Sequence, residues 1–253
     1  MGEREFFELD ARLGELQRRT LQQDSGALEA LRAELEIGWI QHDNALEGIV
    51  LSRQEIQAAL AGAPLPDDHG GALFSAVRNL KTALDFIQRL GQLHARQTSM
   101  RGLITVSLLT ELHELLTPTD KPKGSSYRRK TSMHRVHHHA IAAADTIPHR
   151  LRQLCASLDE LPNAAHPLAV AAVAHFELMT IYPWQNNSGK VARLLMNLLL
   201  LRTGYPPAII SGGERQRYYE SLNAENDRLA GLITDSLTQY SIAAHRFFDK
   251  NTV

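Results

Sequence analysis

The stretch FELMTIYPWQNNSGKVARLLMNLLLLRTGYPP, residues 176–207, decides how the chain reads. Apolar positions recur at helical spacing up to Ile181 and again from Val191 to Leu201, so two helices flank a short polar turn. Gly204, followed by Tyr205-Pro206-Pro207, stops the second helix. Within the turn QNNSGK, residues 185–190, successive backbone N–H groups beside a glycine open a helix. Such a turn holds an anion through its amides and the helix dipole together. Lys190 and Arg193 lie three apart in the first helical turn and share a face. The same residues also fit a plain helix–helix turn, with Asn187 or Ser188 as N-cap and two solvated cations. A Walker A loop is excluded, because Trp184 and Val191 stand where that motif needs Gly and Ser or Thr, and a helix precedes the turn.

Outward from this pair, helical periodicity covers residues 3–22, 26–46, 52–61, 71–95, 105–116, 147–159, 166–181, 189–203, 214–228 and 230–248. Ser52 with Glu55 three residues on forms a capping box, and Pro148 marks a helix start. PLPDDHGG, residues 64–71, is the clearest loop of the N-terminal half. Residues 117–145 break the pattern and read as an irregular loop with a short, weak β-hairpin at about 126–138. A loop this long in a helical chain is more often functional than not. Its histidines, His134, His137, His138 and His139, have neither Cys nor acid beside them, so a solvated basic flap is expected rather than a metal site. In HDNALEGIV, residues 42–50, Glu47 ends an apolar helix and Gly48 caps it. The helix dipole opposes a carboxylate there, so Glu47 wants a cationic partner.

The chain of 253 residues suits one large domain or two small ones. A net charge of -1 supplies no basic field for nucleic acid or anionic membrane. Cys155, the single cysteine, sits in LRQLCASL as a buried small hydrophobe. No leader is visible, no apolar run approaches the roughly 18 residues of a membrane span, and Phe6 stands where myristoylation needs Ser or Thr. A cytoplasmic protein is expected, with no nucleic-acid partner, no membrane partner and no basic recognition helix left over after the last helix.

Taken together, YPWQNNSGKVAR (182–193) and DNALEG (43–48) resemble the Fic (Fido-fold) family. That family's signature runs His-Pro-Phe, two residues of which the second is usually acidic, Gly-Asn-Gly-Arg, two residues, Arg. HPLAVAAVAHFELMTI before the turn, LLMNLLLLRTGYPPAII after it and RQRYYESLNAEN further on are similar to family segments. The resemblance implies an all-α Fic/Fido helical fold with a short β-hairpin flap. It divides the chain into an N-terminal helical region, 1–95, carrying an inhibitory-type helix at about 37–48, and a Fic/Fido domain at 96–250. The implied activity is AMP transfer from ATP, with Mg²⁺, to a hydroxyl of a target protein.

By the same resemblance, Tyr182 stands at the histidine general base and Asn186 at the acid that holds Mg²⁺. Asn187, Ser188 and Gly189 stand on the anion hole, Lys190 on the first arginine, and Arg193 on the second, which grips the γ-phosphate. Tyr219 and Asn226 match adenine-pocket positions. Ser126 to Val136 match the flap that aligns a target or partner protein, and Glu47 matches the inhibitory glutamate that pairs with the second arginine. A homodimer is also implied.

The departures fall where chemistry would be. A phenol of pKa about 10 in place of an imidazole of about 6.5 is protonated about a thousandfold over phenolate at neutral pH. That is an occupancy penalty of roughly 4 kcal/mol for a phenolate base. Asn186 offers a neutral oxygen to a hard dication, Lys190 lacks the bidentate fork of arginine, and Asn187 adds a Cβ where the family has glycine. Three readings follow. The chain is a Fic protein impaired in AMP transfer that retains nucleotide or partner binding, a transferase of altered chemistry using Tyr182, or a fold in which Glu47 and Arg193 are only core.

Overall fold

The computed structural model describes residues 3–62, 68–94, 102–117, 126–130, 140–160, 165–223 and 226–251. Among these residues the regular structure is entirely helical: α1 (Glu3–Thr20), α2 (Ser25–Leu46), α3 (Arg53–Leu60), α4 (Asp68–His94), α5 (Val106–Leu115), α6 (Ile147–Glu160), α7 (Pro167–Ile181), α8 (Ser188–Arg202), α9 (Arg215–Ser221) and α10 (Asn226–Asn251). Short 3-10 turns precede α6, at Ala144–Thr146, and α9, at Gly212–Glu214.

Helix α8 is the centre of the molecule. All its residues are buried except Leu201, which is half-buried, so it is a core helix rather than an amphipathic one. It packs on α7, α4 and α5; α7 in turn meets α6 and α10, and α10 meets α1, α2 and α9. Burying each Leu or Val of this core contributes about 1.5–3 kcal/mol. A smaller apolar cluster, Leu16, Leu31, Ala244 and Phe248, ties α1 and α2 to α10.

The signals at the helix ends act as the sequence suggests. Asp24 caps α2, and Ser52 and Glu55 form the reciprocal capping box of α3. Pro167 occupies the first turn of α7. Gly204 takes the left-handed conformation after α8, where its N–H donates to the Leu201 carbonyl and that of Tyr205 to the Leu200 carbonyl. Asn197, buried inside α8, accepts from the Ala208 N–H at 2.7 Å and donates to the Ala208 carbonyl at 3.3 Å, which pins the returning chain.

Three expectations are corrected. The loop 64–71 ends earlier than read: α4 begins at Asp68 and winds Gly70 and Gly71 into its first turns, where the apolar pattern of the helix that follows overrides the low helix propensity of glycine. The break between the last two helices lies at 222–225, not 229, because Leu229, Ile233 and Leu237 form one continuous buried stripe. No strand is present at 126–130, and the rest of the expected hairpin, with the four histidines, lies in 131–139, outside the described residues. Residues 126–130 are instead tied to the turn after α7: the Arg128 N–H donates to the Pro183 carbonyl at 2.9 Å.

Helix α2 docks closely on the 3-10 turn before α9. A Cβ placed on Gly212 would lie 2.5 Å from that of Ala45, and the Gly212 N–H donates to His42 Nδ1. Gly212→Ala is expected to destabilise the protein by about 1–3 kcal/mol through overpacking. Gly213→Ala, whose Cβ would meet only Ser211 Oγ at 3.6 Å, is expected to be near neutral. Urea unfolding of the two variants beside wild type checks this.

Candidate active site at the meeting of α2 and α8

The turn between α7 and α8 is built from two non-glycine residues in the left-handed region, Tyr182 (φ 45°) and Asn187 (φ 63°). Such conformations cost of order 1–3 kcal/mol each and persist only where neighbours hold them. Here the neighbours are specific. Arg128 Nε donates to the Tyr182 carbonyl at 2.7 Å, and its Nη2 reaches the carbonyls of Ile181 and Ala142. A cation thus sits on the last carbonyls of α7, where the dipole favours it. Ser188 Oγ accepts from the Trp184 N–H at 2.9 Å and donates to the Trp184 carbonyl at 2.7 Å, closing the turn. Trp184 is 1% exposed and stacks on His113, whose Nε2 donates to the Asn186 carbonyl at 3.2 Å. Asn187 Nδ2 donates to the Leu116 carbonyl.

Against this turn stands the C-terminal end of α2. Gly48 (φ 85°) donates its N–H to the Ala45 carbonyl, and Ile49 donates to the Asn44 carbonyl, a Schellman cap that fixes the direction of Glu47. Tyr219 Oη and Arg215 Nε both donate to the Leu46 carbonyl, at 3.2 and 2.9 Å. Glu47 Oε1 accepts from Arg193 Nη2 at 2.8 Å and would lie 2.8 Å from a Cβ on Gly189. The carboxylate of α2 therefore rests over the glycine of the anion turn, in a space that any side chain at 189 would fill.

Arg193 is 3% exposed and has partners on every side. Its Nε donates to Asp43 Oδ1 at 2.6 Å, its Nη2 to the Asp43 carbonyl as well as to Glu47, and its Nη1 to Tyr218 Oη at 3.3 Å. Tyr218 Oη, having accepted from Arg193, is free to donate to His175 Nε2, 3.0 Å away. Burial opposes the guanidinium charge, but Asp43 and the neighbouring acids hold its pKa well above the usual arginine value. Lys190, 5% exposed, donates to Asn44 Oδ1 at 2.8 Å, and burial pulls its pKa below the ordinary lysine value.

The structure thus brings Glu47, Gly189, Lys190, Arg193 and Tyr219 together around one end of α2, with Tyr182, Asn187 and Ser188 in the turn beside them. Asn186 is exposed, and its backbone carbonyl, not its side chain, is bonded to His113. Asn226 opens α10, and its side chain lies outside the described residues. The reading from sequence missed Asp43, Asn44, Tyr218 and Arg128. Asp43 was visible in principle, four residues before Glu47 and so on the same helix face.

For a divalent metal the donor set does not fit. Asn186 offers only an amide, and the two nearby carboxylates, Asp43 and Glu47, are bonded to Arg193. Among the described residues no group of three or more His, Cys, Asp or Glu side chains could hold a metal ion. Nor is any described helix long and apolar enough to cross a membrane.

The chain is thus a helical protein built on a buried hairpin, with a carboxylate from α2 bonded to Arg193 beside the turn at its bend. Residues 103–200 match the sequence model of the Fic/DOC family, and the chain carries a domain of that family. It is 30% identical over 210 residues to the protein adenylyltransferase Fic of Culex quinquefasciatus, an alignment that covers 81% of this chain and 39% of that protein. The chain accordingly spans about two fifths of the length of such curated relatives. In fold it is similar to a Fic domain containing signaling protein from Bacteroides thetaiotaomicron, with a TM-score of 0.79, 19% identity and coverage of 98% of this chain and 99% of that one. It is also similar to Fic-1 from C. elegans, with a TM-score of 0.75, 23% identity and coverage of 97% and 72%.

Tyr182 is half-buried, and desolvation together with the Glu47 carboxylate pushes its phenol up to about 12. A raised acid of this kind stabilises the fold below the unfolded value of about 10, and that contribution is lost as pH rises from there towards the folded value. Absorbance titration at 295 nm of wild type and Tyr182→Phe is expected to assign the missing tyrosinate a midpoint above pH 11. A difference spectrum titrating below pH 9 would restore Tyr182 as a phenolate base.

Proposed function

We propose that this protein is a Fic-type nucleotide-binding protein in which ordinary AMP transfer is lost or strongly impaired and the anion site is held shut by its own Glu47. The observation that carries this reading is the placement of the Glu47 carboxylate over Gly189 and on Arg193, where a phosphate would otherwise sit. The chemistry of the turn supports it. Tyr182 stands at the base position with its phenol raised rather than lowered, and Asn186 has no carboxylate to offer a metal. The curated relatives are named protein adenylyltransferases; by the resemblance of its motif, this chain has a tyrosine at the proton-acceptor position and an asparagine at the metal-ligand position.

In this reading the frame binds the phosphate end of a nucleotide at the turn, with Tyr219 lining the far side. The N-terminal region, 1–95, regulates access to the domain at 96–250. A partner protein would be met along Ser126 to Val136, of which Arg128 is the anchored part. The reading in which Tyr182 acts as a phenolate in altered transfer chemistry is disfavoured by the direction of its pKa.

ATP titrated calorimetrically into wild type and Glu47→Gly, with and without Mg²⁺, tests the proposal. Wild type is expected to bind weakly or not at all, and Glu47→Gly to bind with little dependence on Mg²⁺. At a hundredfold excess over its dissociation constant, ATP would stabilise the variant by about 2.7 kcal/mol. Folded protein that binds no nucleotide in either form would overturn the reading, as would rapid labelling of a target protein by wild type with α-phosphate-labelled ATP.

A further inference from the structure

The end of α2 presents three side chains to α8, and they are held in different ways. The Glu47 side chain is 29% exposed and makes one bond to Arg193. The Asp43 side chain is 5% exposed, takes Arg193 Nε with its carboxylate, and adds its own backbone carbonyl to Nη2. Asn44 is fully buried, anchored by its Nδ2 to the Ile40 carbonyl, and accepts from Lys190. Glu47 can swing into solvent by side-chain rotation alone. Asp43 and Asn44 can leave only if the whole end of α2 undocks from Tyr219, Arg215 and the Gly212 turn.

The charges divide in the same way. Lys190 and Arg193 face Asp43 and Glu47, two cations against two carboxylates. Withdrawing Glu47 alone leaves one net positive charge and frees one edge of one guanidinium. The second oxygen of Asp43, Oδ2, is buried without a hydrogen-bond partner and lies 4.0 Å from Lys190 Nζ. Its charge beside Lys190, at low effective dielectric, opposes any further phosphate drawn to that cation. Lys190 is in any case committed to Asn44.

We infer that Asp43 and Asn44 form a second, non-exchangeable half of the gate, so that with Glu47 withdrawn the site grips a single phosphoryl group, as in a nucleoside monophosphate, and gains little from the further phosphates of a polyphosphate. The inference rests on the proposed nucleotide site and names the ligand that site accepts. Asp43 is a specificity-determining residue in this arrangement. It keeps Arg193 in place and cancels half of the positive charge that a triphosphate would need.

The experiment compares AMP and ATP binding, without metal, to Glu47→Gly and to Glu47→Gly combined with Asp43→Asn, with amide hydrogen exchange over residues 40–49 followed in both. The expected result is a less than threefold preference for ATP over AMP in Glu47→Gly and more than tenfold in the double variant. Exchange protection is expected to stay at the wild-type level in the single variant and to fall in the double one. A preference above threefold in Glu47→Gly, or equal ratios in the two variants, overturns the inference. Should neither variant bind a nucleotide, the proposed function fails and exchange decides the rest. Protection retained in Glu47→Gly and lost only with Asp43→Asn upholds the second tether, and any other pattern removes it. Because Arg193 keeps its Asp43 partner in Glu47→Gly, that arm stands even if the double variant does not fold.

Discussion

A guanidinium buried at the start of the central helix is the constraint around which this molecule is arranged. Removing an unpaired arginine from water costs several kcal/mol, and that cost is offset only by close counter-charges with satisfied hydrogen bonds. Arg193 finds them on α2, 150 positions away in sequence. Much of the N-terminal architecture serves to deliver that end of α2. The Schellman cap at Gly48 fixes the turn of the chain, Tyr219 and Arg215 take up the Leu46 carbonyl, and Gly212 permits the close approach. The absence of a side chain at Gly189 leaves room for Glu47.

The same turn separates geometry from chemistry. Two residues in left-handed conformations are held by Arg128 and Ser188, so the backbone shape suited to an anion persists even though Asn187 carries a Cβ. Shape depends on sterics and hydrogen bonds that many side chains satisfy. Proton transfer and metal binding depend instead on a pKa and on donor type, and here a phenol raised to about 12 stands at Tyr182 and an amide at Asn186.

The central hairpin was legible because two long apolar runs, the polar turn between them and the Gly204-Tyr205-Pro206-Pro207 stop leave α7 and α8 few alternatives. The Ser52–Glu55 box and the Gly48 cap were legible because each is a local rule. Residues of the site were legible in part, and for Glu47 only through resemblance to a family: periodicity says that a carboxylate at a helix end needs a cation, not which one. Asp43 was passed over for a related reason. Its spacing places it on a face, but its burial and its claim on Arg193 come from where the end of α2 meets the start of α8, which no local pattern encodes. Arg128 looked like one more charge in a basic loop, and its role depends on carbonyls contributed by residues some fifty positions later. The start of α10 was misplaced because periodicity alone does not fix a helix end, and the buried stripe of Leu229, Ile233 and Leu237 runs through the expected break.

The separation of Asp43 from Arg193 along the chain has a consequence for how the protein is made. At about 5–20 residues per second, synthesis takes roughly 8–30 s to travel from one to the other. Throughout that interval the end of α2 lacks its counter-charge, and the turn at Gly212–Glu214 on which it packs is made later still. The N-terminal helices therefore leave the ribosome with an acidic, partly apolar end that is satisfied only when the second half arrives.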